Sequence, residues 1–94
     1  MRFFQELADY FYFKGWKDTF LLTVEQGMLC IYRNSDDDHV IATLKWSSDF
    51  PLTLDLTMHE QGSSGLCSLK EHSLKELERV LFLMLTGEDH GHKD

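Results

Sequence analysis

Proline occurs once in this chain, cysteine twice, and no apolar run is longer than Val80 to Leu85. That run is far too short to span a bilayer as a helix. The opening residues MRFF lack the basic region, apolar stretch and small-residue cleavage site of a secretory signal, so the expected location is the cytoplasm. Cys30 and Cys67 sit in apolar surroundings without CxxC spacing, which fits reduced, buried thiols rather than a disulfide framework. Basic residues are also in deficit: nine Lys and Arg stand against sixteen Asp and Glu, for a net charge of −7. Such a balance repels a phosphate backbone, so direct nucleic-acid binding is not expected. No phosphate-cradling glycine loop, nucleophile motif or spaced metal cluster is present, and neither cofactor nor metal is expected.

The negative charge is central. Residues 1–35 carry four acids and four bases, residues 36–60 six acids against Lys45 alone, and residues 61–94 six acids against four bases. Acidity of this kind attracts a basic protein surface and also keeps a small protein in solution.

Phe4, Leu7, Ala8 and Phe11 recur at helical spacing and predict an amphipathic helix over about 2–14, closed by Lys14-Gly15. Residues 18–25 alternate, with Phe20, Leu22 and Val24 on one side. Gln26-Gly27 then turns the chain into a second strand, Met28 to Arg33, forming a hairpin. Asn34 to Asp38 reads as a loop because its short polar side chains bond their own backbone. His39 to Ser47 returns as a strand with Val40, Ala42, Leu44 and Trp46 on the core side. Leu52 to His59 follows, with Leu52, Leu54, Leu56 and Met58 facing inward and Thr53, Asp55, Thr57 and His59 outward.

Gly62-Ser63-Ser64-Gly65 reads as a flexible connector, and Leu66 to Leu69 as either a fifth strand or part of that loop. Ser73-Leu74-Lys75-Glu76 is a capping box that starts a second helix, with Leu77, Val80, Leu81 and Met84 as its core stripe and Gly87 as its stop. The order α-β-β-β-β-α predicts a single α+β domain over 1–87, with a polar tail at 88–94. Its antiparallel meander of four strands, five if 66–69 pairs, should pack against the N- and C-terminal helices.

Among residues with reactive side chains, Cys67 with His59 or His72 has the composition of a thiolate and its base, but a cysteine between Leu66 and Ser68 is the ordinary place for a small core residue. His90 and His92 resemble a weak chelate without a closed ligand shell. Asp36, Asp37 and Asp38 lack the glycine and distal glutamate of a calcium loop.

Surplus apolar surface is the stronger signal. The second helix is apolar all round from Val80 to Leu85, so Phe82 and Leu83 are left without an evident intramolecular partner, and Tyr12 and Trp16 add aromatic surface near the first helix. The expected function is therefore a small acidic, non-enzymatic protein-binding module: an inhibitor, immunity factor or adaptor of the kind common on phages. Its contacts would be Trp16, Tyr12, Phe82 and Leu83 together with the acids Asp36, Asp37, Asp38 and Asp55. The expected partner is another protein with a basic surface, such as a nucleic-acid-processing enzyme, or a second copy of the chain. One alternative is a nucleic-acid mimic occupying a basic groove; another is a small enzyme using Cys67.

Overall fold

The computed structural model describes residues 2–87. In chain order it contains helix α1 (Arg2–Phe13), a 3-10 turn (Trp16–Asp18), strands β1 (Phe20–Glu25), β2 (Met28–Arg33), β3 (Asp36–Trp46), β4 (Thr53–Met58) and β5 (Ser63–Ser68), and helix α2 (Leu74–Thr86). The strands form one antiparallel sheet in sequence order, the arrangement that short connections enforce. Gln26 and Gly27 both take left-handed φ, 53° and 79°, as a tight two-residue hairpin turn requires.

Residues directly opposite one another share a sheet face, so the register defines two surfaces. One carries the rows Leu22, Ile31, Ala42, Met58 and Val24, Leu29, Leu44, Leu56. Both helices cover this face: Phe4, Leu7, Ala8 and Phe11 of α1 and Leu77, Leu81 and Phe82 of α2 join its buried residues in one core cluster. The opposite face carries a row of small residues, Thr23, Cys30, Thr43, Thr57 and Ser64.

The α+β class and element order match the sequence reading; five local expectations do not hold. The Asn34–Asp38 loop shrinks to a turn at 34–35, because Arg33 pairs with Asp36 and β3 starts there, with Asp37 and Asp38 following in the strand at a register shift. The supposed connector at 62–65 is largely strand, since Ser63 to Ser68 pair with β4 throughout. On β3 the alternation slips: Ile31 faces Ala42 but Tyr32 faces Val40, so Ile41 is the extra residue of a bulge. Ile41 joins the core and Val40 shifts to the face of Tyr32. Leu52 lies before β4 in a turn, exposed and with a left-handed φ of 52°, a conformation costing a non-glycine residue about 1–2 kcal/mol.

The fifth difference concerns α2. Its capping box forms as expected, with Ser73 Oγ accepting from the Glu76 amide and Glu76 Oε1 accepting from the Ser73 amide. Its buried stripe, however, is Leu77, Glu78, Leu81 and Phe82, while Val80 and Met84 are exposed. Trp16 is the reason. Its ring stacks on Phe11 at 4.4 Å between centroids and meets Phe82 edge-on at 5.5 Å, and its indole N–H donates to Glu78 Oε2 at 2.9 Å. A carboxylate 1% exposed needs such a donor, so Glu78 turns inward and the helix turns with it.

Leu54, wholly buried at the centre of the sheet, is expected to lose about 2–5 kcal/mol on replacement by alanine. Trp16→Phe keeps a ring but removes the indole donor, and is expected to cost about 1–3 kcal/mol. Urea midpoints of the two variants check both; an unmoved midpoint for Trp16→Phe would mean that the indole bond contributes nothing.

Candidate functional site: an open sheet edge beside a helix flank

The sheet has two edges, and they are treated differently. At β1 the hydroxyl of Tyr12 accepts from the Leu22 amide at 2.8 Å and lies 3.5 Å from the Leu22 carbonyl, so a side chain from α1 occupies the edge where another strand would pair. At β5 no described residue plays that part. Leu69 N–H donates to Leu52 carbonyl at 2.8 Å, which fixes the alternation along the strand. Gly65 and Cys67 turn their backbone groups toward β4, whereas Ser64 and Leu66 turn theirs outward. The Ser68 carbonyl is taken up by the amides of Glu71 and His72. Strand edges of this kind are normally guarded by charge, proline or a bulge, and Ser-Ser-Gly-Leu-Cys-Ser offers none of these.

Beside this edge runs an apolar groove of about 300 Å³ between the sheet and α2. Leu56, Gly65 and Cys67 line it from the strands, and Leu77, Val80 and Met84 from the helix. Leu66 at its rim is 56% exposed and Val80 52%, with Leu83 further round the helix also open to solvent. The floor exists because the Glu78 bond rotates α2: with Glu78 and Phe82 inward, Val80, Leu83 and Met84 have nowhere to go but the flank. Extended polypeptide suits such a surface, since an open strand edge supplies main-chain hydrogen bonds and an adjoining groove takes side chains.

Of the residues singled out from sequence, Leu83 belongs to this flank. Trp16 and Phe82 do not serve as surface contacts: both are core, at 0% and 9% exposure, because each fills the space between the helices and β1. Tyr12 is half-buried with its hydroxyl committed to Leu22. Asp36, Asp37 and Asp38 are exposed at the far end of β3, near the Arg33–Glu60 ion pair, whose two contacts measure 2.5 and 2.8 Å. Hydrogen bonding from His39 holds the Asp36 carboxyl below its ordinary range, and the Arg33 guanidinium does the same for Glu60. Asp55 lies apart from them on the small-residue face, directly between Lys45 and Leu66. The acids thus do not form one surface. Sequence reasoning missed the β5 edge, hidden by a Gly-Ser composition typical of loops, and the inward turn of Glu78, which only the distant Trp16 explains.

The arrangement offers little to a thiol mechanism. His59 rests against Thr43 on the small-residue face, Nε2 to Oγ1 3.3 Å, whereas Cys67 lies on the helix face. His72 borders the same groove as Cys67, but its Nδ1 is directed to Glu76 Oε1 at 3.5 Å. Burial, and secondarily the charge of Glu76, push the Cys67 thiol up, opposite to the depression that activates a nucleophile. No group of three or more His, Cys, Asp or Glu side chains among the described residues could hold a metal ion, and His90 and His92 lie outside those residues, as does the tail expected at 88–94. No helix of the described chain is long and apolar enough to cross a membrane. No protein-family model matches the chain, and no significant match emerges among curated proteins or solved structures.

Cys67 is expected to react with iodoacetamide more slowly than glutathione at neutral pH, the rate still climbing beyond pH 9 as the thiolate forms. Peptide mass spectrometry against pH checks this; fast labelling at pH 7 would reveal an activated thiol.

Proposed function

We propose that this chain is a non-enzymatic protein-binding module that holds a partner polypeptide along β5 and the exposed flank of α2. The observation supporting this is the pairing of an unguarded strand edge, Ser64 and Leu66, with the apolar groove under Val80 and Met84. Either feature alone is common; their adjacency gives both hydrogen bonds and apolar burial to one bound segment. A small protein of this design acts as an inhibitor, immunity factor or adaptor, by covering a partner surface or by bridging two.

The exposed acids Asp36, Asp37 and Asp38 give the module a second means of recognition, steering toward a partner with a basic surface. Action in a reducing cytoplasm is consistent with two free thiols, Cys30 and Cys67, on opposite faces of the sheet. Mimicry of nucleic acid has less support. That role needs carboxylates in a continuous row, and here Asp55 is set between Lys45 and Leu66, away from the acids at the end of β3.

Two variants separate the contributions. Val80→Lys is expected to abolish capture of the partner in a pull-down read by mass spectrometry, while leaving the circular dichroism unchanged. Replacing Asp36, Asp37 and Asp38 together with asparagine is expected to slow association by about three- to tenfold at low salt and to flatten its salt dependence. Unaltered capture by Val80→Lys would remove the groove from the function, and an unaltered rate and salt slope would reduce the aspartates to solubilising groups.

A further inference from the structure

We propose that the occupant of the β5 edge and the α2 groove is a second copy of this chain, paired antiparallel about a two-fold axis near Gly65. The inference rests on reading that surface as a docking site and names what docks there. Its first support is electrostatic. Residues 63–86 contain three bases, Lys70, Lys75 and Arg79, and three acids, Glu71, Glu76 and Glu78, so they are neutral together and the entire net charge of −7 lies elsewhere in the chain. Two like-charged molecules repel wherever their acidic regions meet, and this segment, like residues 1–35, carries no net charge to add to that penalty. Nothing in the charge of this face favours a basic foreign segment over a second copy.

The second support is the pattern of backbone groups. An isologous strand pair must match outward-facing residues with outward-facing residues. Ser64 and Leu66 are the residues of β5 whose N–H and C=O groups both face out without a local partner. Pairing Ser64 of each copy with Leu66 of the other satisfies all of them and sets Gly65 against Gly65, the closely spaced pair of an antiparallel ladder, where no side chain intervenes. The two sheets then continue as one. Each copy's α2 flanks the axis on the helix face, where Val80 and Met84, both exposed in the monomer, come together and leave water, while Leu66 lies on the opposite face beside Ser64 of the other copy. The β1 edge is interrupted at its middle, where the Tyr12 hydroxyl already holds the Leu22 amide.

Sedimentation of the full chain over about 10–500 µM tests the proposal. The wild type is expected at twice its mass of 11.0 kDa. Leu66→Lys, a guarding charge placed on the edge, and Val80→Lys, a charge placed in the groove, are each expected at the single mass with unchanged circular dichroism. Should either variant unfold, the other decides. Because the interface is neutral, the dimer dissociation constant is expected to change less than about threefold between low and high salt. A wild type that stays monomeric throughout overturns the proposal, as does a dimer that both folded variants retain or one that salt strongly strengthens. If the wild type is monomeric but Val80→Lys still loses a captured partner, the self-pairing falls and the docking site stands; if capture is also unaffected, both fall.

Discussion

A carboxylate cannot be buried among aromatic rings without a donor, and in this protein the Trp16 indole supplies one to Glu78. The bond joins residues sixty-two positions apart and lies where α1, the 3-10 turn, β1 and α2 converge. Trp16 arrives there because Gly15, with φ at 104°, breaks α1 sharply enough to fold the tryptophan back against Phe11. Phe20 and Phe82 close around it at 5.1 and 5.5 Å between centroids. Removing the donor would take a hydrogen bond from a buried side chain, so the packing around it is constrained to one arrangement rather than merely to a hydrophobic one.

That constraint sets the rotation of α2, and the rotation sets the surface. Counting apolar residues alone, Leu77, Val80, Leu81 and Met84 make a better stripe than Leu77, Glu78, Leu81 and Phe82. The second stripe is adopted because Glu78 satisfies the indole and Phe82 meets two rings edge-on, a geometry that aromatic pairs favour by about 0.5–1.5 kcal/mol beyond area burial. Val80, Leu83 and Met84 are then left outside. The apolar flank is thus a consequence of a polar bond in the core.

The same logic shows how much of the molecule was legible in its residues. Strong alternation in β1 and β4, the Gln26-Gly27 turn and the capping box of α2 carry their structure locally, so they could be read from short windows. Failures arose where a distant partner decides. Asp36 has low strand propensity but lies opposite Arg33 of a strand already in register, and ladder pairing overrides propensity. Ser63 to Gly65 look like linker, yet β4 offers them an unsatisfied edge and they fill it. Ile41 enters the core through a bulge that no period-two count can anticipate. For the candidate site, Leu83 was legible from the excess of apolar residues on one helix. Phe82 and Trp16 were misplaced because surplus surface was counted helix by helix, whereas the two surpluses cover each other.

Edge protection completes the connection between fold and function. A five-stranded open sheet must do something with two unpaired borders, and this chain spends a tyrosine hydroxyl on one of them. Had β5 carried a lysine or a proline, the groove beneath α2 would be only an apolar dent, open to solvent and of little use to an extended segment. Had α2 been rotated to bury Val80 and Met84, the free edge would offer hydrogen bonds without apolar burial, and isolated strand pairing in water is marginal. The two features are useful only together, and one of them traces back through Glu78 to Trp16. Under the proposed function, binding and stability therefore draw on the same residues: a change at Trp16 that lets α2 roll would loosen the core and also withdraw the flank proposed to hold a partner.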